Sequence, residues 1–217
     1  MDTILNNEEI RVLGCLIEKE FSTPDYYPLT LNALVNGCNQ KSNRSPVVSY
    51  DENTVIQAIY DLKEKGLVWQ SDLGRVPKYE ERFTQNNRLV NKEAAVMCVL
   101  MLRGHQTSGE IKSRSERLYA FESLSEVNET LENLALQDLV ERIPRQPGQK
   151  EARYCHLLGE LKKHDSSSNA TKDNNLKNLQ QTLDNDRMTA LEEKVESLSF
   201  ELTELKELFF LFKKQFD

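Results

Sequence analysis

Apolar residues recur at helical spacing in two stretches that copy one another. Residues 7–16 carry Val12, Leu13 and Leu16, and residues 91–100 carry Val96, Met97 and Leu100, an offset of 84. Each copy opens with an Asn placed to cap (Asn7, Asn91) and a Glu in the first turn, so two amphipathic helices are expected. Thr23 falls on Thr107 at the same offset. A second match follows at an offset of 72: Val55, Ile59, Leu62, Leu67 and Val68 align with Val127, Leu131, Leu134, Leu139 and Val140. The first copy therefore holds 12 extra residues between Thr23 and Asp51, which the polar stretch 39–46 is best placed to absorb. Asp51 and Ser123 occupy equivalent N-cap positions, and Gly66 suits the C-cap of the first of these helices.

After each of these helices the pattern changes to an extended segment, a turn and a second extended segment. These fall at 67–71, 72–74 and 75–83 in the first copy, and at 139–144, 145–149 and 150–157 in the second. Short helices are expected at about 30–38 and 108–118. Each copy thus reads helix, helix, helix, hairpin, which is the order of a winged helix. The predicted class is α+β, mainly helical: a first module at 1–88, a second at 89–160, a linker at 161–175 and a helical tail at 176–217.

The tail has its own period. Met188, Leu191, Val195, Leu198, Leu202, Leu205, Phe209, Phe212 and Phe216 alternate spacings of three and four, which predicts a coiled coil from about residue 188. With Met188 at position a, Glu201 falls at g and Lys206 at e, which suits a parallel pair; a single amphipathic helix folded back on the body is the other solution. Leu176, Leu179 and Leu183 lie out of register. The run 165–175 before it is polar apart from Ala170 and reads as a flexible linker.

Three blocks carry a resemblance to a known family. They are Thr23-Pro24-Asp25-Tyr26-Tyr27-Pro28-Leu29-Thr30 running into Cys38-Asn39-Gln40-Lys41-Ser42-Asn43-Arg44, then Arg103-Gly104-His105-Gln106-Thr107-Ser108-Gly109-Glu110, and Pro147-Gly148-Gln149-Lys150-Glu151-Ala152-Arg153-Tyr154. Over roughly residues 4–159 the chain resembles the YceH-like family of uncharacterised bacterial proteins. The resemblance implies a tandem winged-helix fold and no established activity, and it does not extend to the tail.

Composition narrows the chemistry. The 217 residues are 38% hydrophobic and 29% charged, with a formal net charge of −7, and residues 166–217 hold 7 Lys/Arg against 10 Asp/Glu, leaving −4 for the body. No apolar run approaches the roughly 18 residues of a membrane span, and the first residues lack the order of a signal peptide, so a cytoplasmic protein without membrane contact is expected. Cys15, Cys38, Cys98 and Cys155 lie far apart without C-x-x-C spacing and read as buried free thiols, with no metal expected. His105, His156 and His164 are scattered, and no nucleophile elbow or Gly-rich phosphate loop is present; neither an enzyme nor a cofactor is expected. Asp25 beside Tyr26 and Tyr27 reads as a loop packed by its tyrosines rather than a small site.

The candidate interface is the outward face of the third helix. In the first module that face is expected to carry Asn53, Gln57, Tyr60 and Glu64, with Lys63 and Lys65 close by; Asn and Gln suit adenine edges. In the second module the inner face is Leu124, Val127, Leu131 and Leu134, and the outward face Glu129, Glu132, Asn133 and Leu136. Between 123 and 138 there are four acids and no Lys or Arg, so this helix would be repelled by phosphates. Its module's cations lie instead at Lys112, Arg114 and Arg117 on the second helix and at Arg142, Arg145, Lys150 and Arg153 on the hairpin. Asn39, Gln40, Asn43 and Arg44 form the densest polar constellation, either a ligand contact or a set of caps that holds down the long connection. Two functions follow as expectations: a non-catalytic regulator that binds duplex DNA, or a protein-interaction scaffold, in both cases a homo-oligomer through the tail. Truncation after Asp165 should lower the oligomeric state; equal mass per particle by light scattering, after allowing for the deleted residues, would refute the coiled coil.

Overall fold

The computed structural model describes residues 4–72, 74–145 and 151–159; the linker, the tail stripe from Met188 to Phe216, and Lys150 lie outside the described residues. Met1–Leu161 is one compact unit. Its helices are α1 (Asn7–Ser22), α2 (Leu31–Cys38), α3 (Glu52–Glu64), α4 (Phe83–Asn86), α5 (Asn91–Arg103), α6 (Ser108–Ser115) and α7 (Leu124–Leu136). Its strands are β1 (Leu29–Thr30), β2 (Val68–Ser71), β3 (Lys78–Glu81), β4 (Val140–Ile143) and β5 (Arg153–His156). The expected order of three helices and a hairpin is present twice.

Side chains at the helix starts explain where these elements begin. Asn6, one residue ahead of the expected cap, accepts from Glu9 N at 2.8 Å, while the Glu9 carboxylate accepts from Asn6 N at 2.7 Å. At α5 the capping position is Val90, which has no side-chain acceptor, and Glu93 alone reaches back to Val90 N at 3.0 Å. Asp51 and Ser123 cap α3 and α7 as expected. Thr30 caps α2 and Thr107 caps α6, whereas Thr23 ends α1. The expected match of Thr23 with Thr107 is therefore corrected to Thr30 with Thr107, an offset of 77. Seven of the twelve extra residues precede α2, around a 3-10 turn at Pro24–Tyr26, and five follow it. Pattern alone had put all of them after α2, because polar Asn39–Arg44 looked like insertion and Pro24–Pro28 did not.

The seven residues before α2 are anchored rather than loose. Tyr27 is half-buried and its hydroxyl accepts from Glu81 N at 2.6 Å. Leu29 and Thr30 then pair with Tyr79 and Lys78, giving a three-stranded antiparallel sheet in the order β1-β3-β2. The second module has β4 paired with β5, Val140 opposite His156 and Ile143 opposite Arg153, plus an isolated bridge from Gln106 to Tyr154 in place of β1.

Both modules share one hydrophobic core. Helix α5 is buried without a break from Glu93 to Leu102, and α1 from Glu9 to Ile17, so both are covered all round. They meet at Gly14 and Cys98, equivalent positions of the repeat: the Cys98 thiol donates to Gly14 O at 3.5 Å. A Cβ on Gly14 would lie 3.0 Å from Leu102 Cδ2 and 3.1 Å from Met101 Cβ, so glycine is what lets the two helices approach here. Two further ties join the modules. Ser45 N donates to Leu102 O at 2.9 Å, and Leu5 N donates to Leu158 O at 2.6 Å beside a Leu5–Gly159 bridge. Among the described residues, no helix is long and apolar enough to cross a membrane.

A carboxyl pair sits where α1 meets β3. Glu81 is buried and accepts from Thr84 N at 2.9 Å, and Glu20 approaches it from the last turn of α1. Burial first, then the charge of Glu81, pushes the Glu20 carboxyl up to about 7 from 4.5. Because the folded value exceeds the ordinary one, stability is full below about pH 4.5 and is lost as pH rises to about 7. Glu20→Gln should raise stability at pH 8 by about 1 kcal/mol after allowing for solvent screening, and change it little at pH 5. Urea unfolding at both pH values checks this; an equal change at both would contradict it.

Candidate nucleic-acid interface

Helix α3 turns Val55, Ala58, Ile59 and Leu62 into the core and leaves Asn53, Gln57, Tyr60 and Glu64 exposed, as its periodicity predicts. Ile56, 45% exposed, adds an apolar residue to that face which the wheel had not singled out. Its N-terminus is fixed by Asp51, whose side chain accepts from Thr54 N at 2.8 Å; hydrogen bonding from Thr54, its side chain first and then its backbone N–H, holds the Asp51 carboxyl below its ordinary value. Gln57 donates to Asp61 at 2.9 Å. Lys63 donates to Gln70 Oε1 at 2.6 Å, and Gln70 donates onward to Asp72 at 2.7 Å, so α3 is tied to the β2–β3 hairpin. Lys65, by contrast, reaches inward to buried Glu9 at 2.5 Å.

The hairpin of the first module extends this face. Arg75, Val76, Pro77 and Lys78 are exposed around its turn, and Arg82 lies 5.9 Å from the ring centroid of exposed Trp69. Sequence reasoning weighed hairpin cations only in the second module, so Arg75, Lys78 and Trp69 of the first are additions. Their position in a hairpin that follows a polar-faced helix was the available signal.

In the second module three of the six expected cations that are described are engaged internally. Lys112 donates to Glu122 O at 2.8 Å. Arg114 donates to Gln106 Oε1 and pairs with Glu110 at 3.3 Å. Arg153 donates to His105 O at 2.9 Å and to Glu110 at 3.1 Å. Arg117, Arg142 and Arg145 are exposed. Alternation along the paired strands sends Arg142, opposite Tyr154, and Arg153, opposite Ile143, to different faces of the hairpin. These cations therefore do not make one continuous face. Helix α7 exposes Glu129, Glu132, Asn133 and Leu136, and its buried set is Val127, Thr130, Leu131 and Leu134. Leu124, expected on the inner face, is the first residue of α7 and is 50% exposed, whereas Thr130 is buried with its hydroxyl satisfied by Glu126 O at 2.7 Å. His156 is held down to about 4, first by burial and then by His105, and its Nδ1 is buried without a hydrogen-bond partner.

The polar constellation is drawn together by the fold. Asn39 and Tyr50 exchange two hydrogen bonds of 2.7 Å, which close the connection between α2 and α3. Arg44 is 6% exposed and donates to Gly37 O, to Gln40 at 3.1 Å and to both oxygens of Glu18 at 3.0 and 2.6 Å. Burial works against the Glu18 charge, but Arg44 and then Lys19 hold the carboxyl below its ordinary range. Asn43, at a φ of 61°, accepts from Arg103 of α5. Of the two expected roles, the one visible in these bonds is to hold the connection down. Gln40 and Asn43 also line a cavity of about 410 Å³ with Arg114 and Arg117, a juxtaposition across the two modules that no sequence pattern announced. Among the described residues, no group of three or more His, Cys, Asp or Glu is placed to hold a metal ion.

Comparison with known proteins gives kinship without an activity. A family model described as a protein of unknown function, DUF480, matches residues 5–149. The chain is similar to a UPF0502 protein of Solibacter usitatus, 48% identical over 219 residues and covering 100% of both chains. It is also similar to UPF0502 proteins of Koribacter versatilis, 54% identical over 161 residues with 73% of this chain and 75% of the relative covered, and of Pelobacter propionicus, 47% identical over 227 residues with both fully covered.

Proposed function

The chain belongs to the DUF480 family of proteins of unknown function, and on that footing we propose that it is a non-catalytic regulator whose two modules are winged helices and whose first module binds duplex DNA. The observation that carries this reading is the exposed face of α3, with Asn53, Gln57 and Tyr60, joined through Lys63 and Gln70 to a hairpin that exposes Arg75 and Lys78. Amide side chains suit base edges in the major groove, and flanking cations suit phosphates on either side of it. Helix α7 stands apart from DNA in this reading, since its exposed acids repel the backbone.

A second reading, a protein-interaction scaffold, is favoured by one specific observation. Leu136 is 85% exposed near the end of that same acidic helix, which suits an apolar contact rimmed by charge.

Titration of the full chain with random and selected duplex DNA in roughly 50 mM salt separates the two. On the DNA reading, Arg75→Ala and Lys78→Ala each flatten the log–log salt dependence by about 0.9. Asn53→Ala or Gln57→Ala relaxes base preference and leaves most non-specific affinity intact. No association at tens of micromolar protein, on the order of the weakest ordinary non-specific binding, would overturn the DNA reading in favour of the scaffold.

A further inference from the structure

The cavity between the modules is lined by five cations, Lys19, Lys41, Arg103, Arg114 and Arg117, against one carboxylate, Glu18. Such a gathering needs explanation in a chain whose net charge is −7. Glu18 offsets only part of it: both its oxygens are taken by buried Arg44, and one is shared with Lys19, itself one of the five, at 3.3 Å. Glu110 is shared between Arg114 and Arg153. Arg103 feels the excess directly: burial first, then the nearby charges of Arg114 and Arg44, pull its guanidinium below the ordinary value.

We propose that this cavity is a binding site for a small organic phosphate of nucleotide size. Guanidinium groups match phosphate oxygens in charge and fork geometry, and two of them are held in place before any ligand arrives. Arg103 is fixed by Asn43, and Arg114 by Gln106 and Glu110. Part of the lining is apolar, from Cys98, Val99, Leu102 and Leu118, and suits an uncharged organic body rather than a bare inorganic ion. The volume of about 410 Å³ falls in the ordinary range for small-ligand pockets, roughly 300–1,000 Å³. None of the lining residues lies on α3 or on the β2–β3 hairpin, so the site is distinct from the proposed DNA face. A ligand here would touch α1 and the 40–43 segment of the first module and α5 and α6 of the second at once.

Isothermal titration calorimetry on the full chain tests this with ADP, inorganic pyrophosphate and adenosine as probes. ADP should bind saturably at one site per chain, more tightly than pyrophosphate, and adenosine should not bind measurably. Arg117→Glu and Lys41→Glu, both at exposed positions, should each weaken ADP about tenfold or more without lowering the melting temperature of the free protein. Saturating duplex DNA should leave ADP affinity unchanged. The proposal is overturned if ADP gives no saturable heat up to about 5 mM, a generous limit for a specific site. It is equally overturned if either variant binds ADP as the parent does, or if adenosine or pyrophosphate binds as tightly as ADP. If duplex DNA alone binds and Arg117→Glu weakens it, the cations serve a nucleic-acid backbone, and this proposal fails while the DNA reading stands.

Discussion

The contact between α1 and α5 at Gly14 is the constraint on which the rest of the structure depends. Each helix is the first of its module, and each is buried on nearly every side through its middle turns, α5 by apolar residues and α1 with Glu9 and Arg11 among them. Stacking the two helices on equivalent residues covers both at once, with one of those residues lacking a side chain. A Cβ at position 14 would meet Leu102 and Met101 at about 3 Å, so those side chains would have to shift by a few tenths of an ångström to accept it. The repeat is thus a packing device: two incomplete cores become one.

Arg44 shows what that junction costs and how it is stabilised. A guanidinium at 6% exposure loses most of its hydration, and it is tolerated because Glu18, Gly37 O and Gln40 satisfy its donors. Glu18 belongs to α1, Arg44 to the connection after α2, and the neighbouring Asn43 reaches Arg103 of α5. The same ion pair that anchors the connection also engages both oxygens of Glu18, the one lining carboxylate of the adjoining cavity, which is shared between Arg44 and Lys19. Packing between the modules and the electropositive character of the cleft therefore have a common origin.

Much of this was legible in the sequence, for reasons that are local. The N-caps at Asp51 and Ser123, the inner face of α3 and the two hairpins follow from residue types whose preferences act within a few positions. What was not legible depends on partners far along the chain. Tyr27 turns the Pro24–Pro28 segment into an ordered entry to β1 because it meets Glu81, 54 residues away. Asn39, Gln40, Asn43 and Arg44 were recognisable as a dense polar group, but only the approach of α1 and α5 gives them Glu18 and Arg103 as partners. Lys112, Arg114 and Arg153 were counted as free cations for the same reason: Glu122 O and Glu110 are invisible to a count along the sequence.

That the two modules stand or fall as one core is tested most directly by native-state hydrogen exchange. Leu13 and Leu16 of α1 and Met97 and Leu100 of α5 are all fully buried in the shared cluster. Their amides should exchange through the same global opening, with one free energy and one denaturant dependence, across a series of low urea concentrations. If α5 exchanged through a separate opening of markedly lower free energy while α1 stayed protected, the modules would be independent, and the account given for Gly14 and Arg44 would be wrong.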